Sequence, residues 1–334
     1  MTLGIDGIRI GCWTSPRGPS GCTVVLPPPE TLGAIAVRGS APGTREAIAL
    51  GPTGKVSVCH AVVLSGGSAF GLAAADGVVS WLEDRGIGYP TRSAVVPIVG
   101  AAIVLDQGVA DRDARPNPAA GRYACDASSH EDPPEGGIGA GTGCTVAKVG
   151  GFEHAWRGGQ GIAVRRVSGV TVGAIVVNNA FGEIVDEHGE WIARSRAPRD
   201  VPRFPVVAEA QIAAQAPRLP GGGGAWTGGG GGGPSEHTVI GCVVTDARLS
   251  KQEAVRVADL AHSGVARTVR PAHTSLDGDA MFCLATGQVD SHLDLVAALA
   301  ADVVAEACLR AVLAAVTRDG LPGLATEGRR EGGM

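Results

Sequence analysis

The sequence predicts a layered α/β fold, on three observations. Short apolar runs rich in β-branched residues alternate with longer segments of helical character. The run that begins at Thr238, "TVIGCVVTDA", is apolar on both of its alternating faces and therefore demands cover on two sides. The segment "LDLVAALAADVVAEACLRAVLAAV" (293–316) is apolar on most faces, as a covered helix must be.

The elements follow in order. Residues 1 to about 60 alternate β-rich runs ("GCTVVL", "GAIAV") with Pro/Gly turns that include "RGSAPGTRE". "GGSAFGLAAADGVVSWLEDRG" (66–86) reads as a glycine-initiated helix closed by Gly86. A Pro- and Asp-rich stretch, about 106–135, reads as mostly irregular. It leads through "GGIGAGTGCTVAKVGG" to two strands, "GIAVRRV" and "VTVGAIVVNNAFGEIVD". "AEAQIAAQA" (208–216) suits a short helix, and ten glycines then crowd residues 221–233. Beyond Thr238, Ser250 and Glu253 form a capping box that opens a helix through "KQEAVRVADLAHSGVART". "HTSLDGDAMFCLATG" supplies a turn and a strand before the long apolar helix, and the terminal "EGRREGGM" reads as frayed.

Composition narrows the class. At 334 residues and 44% hydrophobic the chain can bury a large core. Its 52 glycines and 21 prolines stay below the share, about a quarter, that marks low complexity. A net charge of -5 gives no basic footprint, so nucleic acid is not an expected partner. Asp6 and Arg9 interrupt any signal-like stretch, and no apolar run reaches the roughly 18 residues of a membrane span. A cytoplasmic protein without a membrane partner is expected. The eight cysteines lie scattered in apolar runs without a C-x-x-C pair and read as buried, reduced thiols. With no repeat, and with the wholly apolar strand after Thr238 needing cover, residues 1–334 are expected to form one domain. The glycine run is then a surface loop.

The glycine motifs do not bind nucleotides: "GIGAGTG" (137–143) misses G-x-G-x-x-G, and "GPTGK" (51–55) lacks P-loop spacing. "GGSAF" misses the G-x-S-x-G elbow because Phe70 takes the last glycine position, so Ser68 reads as a helix-start residue. The eight histidines show no metal-ligand spacing, and neither a metal nor another cofactor is called for.

The remaining chemistry sits at Thr238 and in the D-G-D of Asp277 and Asp279. A glycine-rich tether lets a chain reach geometries that stiffer backbone forbids, and a hydroxyl beside its own preceding carbonyl can attack it. Rearrangement to an ester and hydrolysis would part His237 from Thr238. The freed α-amine, with an unperturbed pKa of about 7.7–8.0, can then serve as base for the same residue's hydroxyl. Asp277 and Asp279 fall on one side of an extended segment and would orient that amine. Plain alternatives stand beside this reading: D-G-D as an ordinary turn, Thr238 as a strand residue, and the glycines as an inert linker.

Taken together, "LSGGSAFGL", "GAGTGCTVAK", "VVNNAFGEIVD", "HTVIGCVVTDARL" and "HTSLDGDAMFCLATG", with "GCTVVL" and "RGSAPGTRE" ahead of them, resemble the L-aminopeptidase/D-esterase (DmpA-type) family of self-processing hydrolases. That family includes β-aminopeptidases and nylon-oligomer hydrolase, and the likeness covers nearly the whole chain. It implies a four-layer αββα sandwich and autocatalytic cleavage, within a processing loop at 221–237, into an α chain (1–237) and a β chain (238–334). It also implies oligomers of such αβ units. By motif, Thr238 matches the nucleophile, and Asp277 and Asp279 match the orienting acids of the threonine-using branch. Asn179 matches an oxyanion donor, Lys148 a lysine near the nucleophile, and Gly67, Ser68 and Phe70 the substrate pocket. Two departures are visible: Phe70 stands where a tyrosine is usual, and His237 precedes the cut where Asn or Gly is commoner. The expected activity is removal of an amino acid from short peptides, amides or esters through an acyl-enzyme on Thr238. An acyltransferase of the ornithine acetyltransferase kind and a non-catalytic globular protein are the alternatives.

Overall fold

The computed structural model describes residues 1–198 and 237–331. Two five-stranded sheets form its centre. In chain order their strands are β1 (Arg9–Thr14), β2 (Gly21–Leu26), β3 (Leu32–Val37), β4 (Thr44–Arg45), β5 (Ala61–Ser65) and β6 (Val99–Ile103). There follow β7 (Gly159–Val167), β8 (Val170–Asn179), β9 (Thr238–Ala247) and β10 (Ala280–Val289). One sheet runs β1-β2-β5-β6-β4 and the other β7-β8-β9-β10-β3. The principal helices are α1 (Ala74–Glu83), α2 (Pro118–Asp126), α3 (Lys251–Thr268) and α4 (Leu293–Leu313).

The layering follows from the strand period of two. In β9, Ile240, Cys242 and Val244 point into the core between the sheets, while Val239 and Val243 point into the core beneath the helices. Phe282 and Leu284 of β10 join the first group, and Met281 and Cys283 join the second. Both faces of these strands are covered, which is why their sequences are apolar without alternation. Val24, Val63 and Ala101 of the other sheet pack under Val78, Trp81 and Leu82 of α1 and Ala124 of α2. Helices α3 and α4 cover the opposite side. The order helix, sheet, sheet, helix is the αββα sandwich that the resemblance implied.

Three local differences from the sequence reading are seen. The helix expected over 66–86 begins at Ala74, because Gly67 (φ 79°) and Ser68 (φ 55°) are left-handed and open a 3-10 turn over Ser68–Ala73 first. The irregular stretch contains α2, whose start is fixed by the Asn117 side chain accepting from the Ala120 N–H at 3.0 Å and by Pro118 in the first turn. The terminal segment is helical over Leu324–Glu331. The capping box of Ser250 and Glu253 is present at the start of α3. The helix suggested at 208–216 and the glycine run lie outside the described residues. All eight cysteines are free thiols, and all but Cys12 are buried. No helix among the described residues is long and apolar enough to cross a membrane.

Sheet order positions the site. Strands β9 and β10 run parallel, side by side, and start at the same end of the sheet. The chain entering each strand there carries His237–Thr238 in one case and Asp277–Asp279 in the other.

Candidate active site

Thr238 is the first residue of β9 and pairs in register with Asn179, the last residue of β8. It is 5% exposed, and its hydroxyl donates a hydrogen bond to the carbonyl oxygen of His237, the residue before it. The same carbonyl oxygen accepts from the backbone N–H of Gly278 at 3.3 Å. His237 bridges to Asp277 as a parallel partner, so the two entering segments are already paired one step before the strands begin. Gly278 is required by close approach. A Cβ built there would lie 2.6 Å from the carbonyl oxygen of Ala41 and 3.1 Å from the Thr238 hydroxyl oxygen.

The D-G-D segment is extended after a turn at 275–276. The continuation of β3 holds it: Arg38 and Gly39 donate to the Asp279 carbonyl at 2.9 and 3.2 Å, and Ala41 donates to that of Asp277 at 3.0 Å. This gives "RGSAP" its local purpose. Asp277 Oδ2 accepts from the N–H of Thr274 at 2.7 Å and from its hydroxyl at 2.6 Å. Asp279 Oδ1 accepts from the Val239 N–H at 2.6 Å, and its Oδ2 lies 2.6 Å from His273 Nδ1. Both carboxyls are buried. Burial first, and then the charge of Asp279, push the Asp277 carboxyl up to about 6 against the pull of Thr274 and Lys148.

Lys148 is buried. Its ammonium donates to the Asn179 carbonyl at 3.0 Å and to Asn179 Oδ1 at 3.3 Å. Asn179 Oδ1 also accepts from Thr145 N at 2.9 Å, while its Nδ2 donates to the Leu105 carbonyl at 3.0 Å. The asparagine facing Thr238 is therefore fixed at both ends of its amide. Thr238, His237, Asp277, Asp279, Asn179 and Lys148, drawn from four separate stretches of sequence, thus meet at one end of the sheet.

The three residues that the resemblance matched to a substrate pocket stand one step away. Ser68 N donates to the Val104 carbonyl at 3.0 Å, next to the Leu105 carbonyl that anchors Asn179. Gly67 N donates to Asp106 Oδ1 at 3.1 Å. Phe70 is exposed, and the Arg115 guanidinium lies 4.0 Å over its ring.

Two residues escaped the sequence reading. Asp106 is buried beneath the 66–68 loop and accepts from Ser20 Oγ at 2.7 Å; burial raises it to about 7 in spite of its donors. His273 lies against Asp279, with its Nε2 3.3 Å from the His262 carbonyl. Its ring meets that of His262 edge to face at 5.0 Å. Burial opposes charging His273, but the hydrogen bond and charge of Asp279 outweigh it and raise its pKa above the usual value. His262, inside the helix layer, is driven down to about 4, first by burial.

Known proteins are similar to this chain in sequence and in fold. The sequence pattern of Peptidase family S58 matches residues 3–325. An uncharacterized aminopeptidase of Mycobacterium leprae is 40% identical over 330 residues, covering 90% of this chain and 84% of that protein. A 6-aminohexanoate-oligomer endohydrolase of Agromyces is 30% identical over 292 residues, covering 87% of this chain and 76% of the relative. Among solved structures, the L-aminopeptidase D-Ala-esterase/amidase of Ochrobactrum anthropi superposes with a TM-score of 0.69 at 20% identity. That match covers 99% of this chain and 92% of the other, and it concerns the fold.

Proposed function

Because the chain belongs to peptidase family S58 and is a hydrolase of peptide or amide bonds, we propose that Thr238 is its nucleophile and that Thr238 first frees itself by cutting the chain behind it. The observation that carries this reading is the hydrogen bond from the Thr238 hydroxyl to the His237 carbonyl, with the Gly278 N–H on the same oxygen. Attack of Oγ on the His237 carbonyl carbon moves charge onto that oxygen, where the Gly278 N–H stabilises it. Collapse breaks the His237–Thr238 C–N bond and leaves an ester on Oγ, with the proton lost by Oγ ending on the departing nitrogen. Water then hydrolyses the ester, releasing the His237 carboxylate and an α-amine on Thr238. The products are an α chain, 1–237, and a β chain, 238–334.

In the mature enzyme the amine takes the proton of Oγ as the hydroxyl attacks the substrate carbonyl, and gives it to the leaving amine. The substrate class is short peptides, amides or esters with a free amino end, in keeping with the aminopeptidase and oligomer-hydrolase names of the relatives. Asp277 and Asp279 orient the amine, and Asn179, fixed by Lys148, presents its amide toward the oxyanion. Gly67, Ser68 and Phe70 line the far wall of the pocket. We assign the protein to the cytoplasm, where its eight free thiols would persist, and expect αβ units to assemble into oligomers. Intact-mass spectrometry of purified protein tests the central step. Two masses that split the chain at 237/238 are expected, and an active enzyme of unbroken mass would overturn the reading.

A further inference from the structure

Among the described residues, both ring nitrogens of His273 face acceptors. Its Nδ1 lies 2.6 Å from a carboxyl oxygen of Asp279, and its Nε2 lies 3.3 Å from the backbone carbonyl of His262. A backbone carbonyl can only accept, so Nε2 must carry a proton. The other oxygen of Asp279 already takes the Val239 N–H at 2.6 Å, as a carboxylate oxygen would. With Nδ1 unprotonated, either two lone pairs would oppose each other at that distance or the carboxyl would have to hold the proton, and imidazole is the stronger base of the two. The ring is therefore an imidazolium, and the His273–Asp279 pair carries no net charge. Among the described residues, the titratable groups around the pair include Asp277 on the same segment, His262 on α3, Arg38 at the end of β3, Lys148 beside Asn179, and Cys308 on α4. His262, neutral and donating from Nε2 to the Ala36 carbonyl at 3.1 Å, adds no charge. Arg38 spends its guanidinium on Asp259, Cys308 is a buried neutral thiol, and Lys148 offsets Asp277.

The consequence falls on the Thr238 amine, one residue from the Val239 N–H that Asp279 grips. Two carboxylates with no imidazolium beside them would hold that amine as ammonium, which cannot accept a proton. We propose that His273 is a positioning residue of the hydrolase: as an imidazolium it cancels the charge of Asp279 and aims it, so that the freed amine of Thr238 stays unprotonated and basic near neutral pH. This rests on Thr238 being the nucleophile with a free amine. His273 touches neither substrate nor the reacting atoms and acts through Asp279.

The test is the protonation midpoint of the Thr238 α-amine in wild type and in His273→Gln, which keeps a hydrogen bond but no charge. It is read by competitive labelling with acetic anhydride, from about pH 5 to about pH 10, and mass spectrometry of the β chain. The midpoint is expected to rise by about one unit in His273→Gln, with kcat/KM on amino acid p-nitroanilides about tenfold lower near pH 7 and recovering at higher pH. His273→Lys, which restores a positive charge, should bring the midpoint back toward wild type. An unchanged midpoint in His273→Gln, with a pH-independent loss of activity, overturns the proposal and leaves His273 a packing residue. Should His273→Gln fail to fold, the ring ¹⁵N shifts of wild-type His273 decide. Two protonated nitrogens near pH 7 are expected, and a neutral ring refutes the assignment. A wild-type chain with no amine at Thr238 to label would instead overturn the nucleophile reading beneath it, so the two failures are distinguishable.

Discussion

Asn179 and Thr238 are ladder partners, the last residue of one strand opposite the first residue of the next. The pairing puts an amide held at both ends against a hydroxyl that touches its own preceding carbonyl. Neither residue is close to the other in sequence, and the antiparallel register alone brings them together.

Removing the Thr238 hydroxyl should stop both reactions. Thr238→Ala is expected to accumulate as one folded chain of unbroken mass with no hydrolysis. Thr238→Ser, which keeps the oxygen, should still be cut. Mass spectrometry and circular dichroism check both, and normal cleavage in the alanine variant would take Thr238 out of the mechanism.

Gly278→Ala should slow maturation more than it unfolds the protein. The added methyl would press on the Ala41 carbonyl at 2.6 Å and crowd the Thr238 hydroxyl oxygen at 3.1 Å, and it would disturb the N–H that donates to the His237 carbonyl. Loss of one such donor costs roughly 10²–10³ in rate. A time course of cleavage on denaturing gels measures it, and a wild-type rate would mean that the Gly278 N–H does not assist.

Lys148→Met keeps the volume of the buried side chain but frees the Asn179 carbonyl and Oδ1 from their ammonium. Activity should fall by one to two orders of magnitude, about 1.4–2.8 kcal/mol of barrier, with KM little changed. Thermal stability should change by much less, since the charge removed was itself costly to bury. A loss confined to stability would return Lys148 to a structural role.

Asp277 sets a pH dependence whose sign is fixed. Its folded pKa of about 6 lies above the unfolded value of about 3.9, so between these limits the folded state holds a proton that the unfolded state has lost. This contribution is fully present below about pH 4 and is lost as the pH rises through about 6. Asp277→Asn should therefore flatten the fall in stability across that window and leave the protein more stable near pH 7, by on the order of 3 kcal/mol, while lowering turnover. Urea titrations at several pH values test it; an unchanged slope would show that Asp277 is not strained by burial.

What the sequence made legible was whatever depends on pattern. The doubly apolar run after Thr238 announced a covered strand, and Ser250 with Glu253 announced α3, because burial on both faces and capping leave local marks. Helix α2 left the marks of Asn117 and Pro118, but a proline- and aspartate-rich setting outweighed them. Motif resemblance brought Asn179 and Lys148 to the site; that Lys148 is buried there follows from the pairing of β8 with β9, which no short window of sequence contains. His273 was missed although it opens the "HTSLDGD" motif. Its link to Asp279 depends on the turn that folds the segment back and on the carbonyl that α3 offers to its other nitrogen.

The placement of β9 and β10 between β8 and β3 has a further consequence. Those two inner strands come from beyond the proposed cut at 237/238, and both flanking strands come from before it. A severed chain would be clamped like a tenon in its mortise, with hydrogen bonds on either side and no edge from which to peel. The two fragments could separate only by global unfolding, so the break would release a nucleophile without loosening the molecule that carries it.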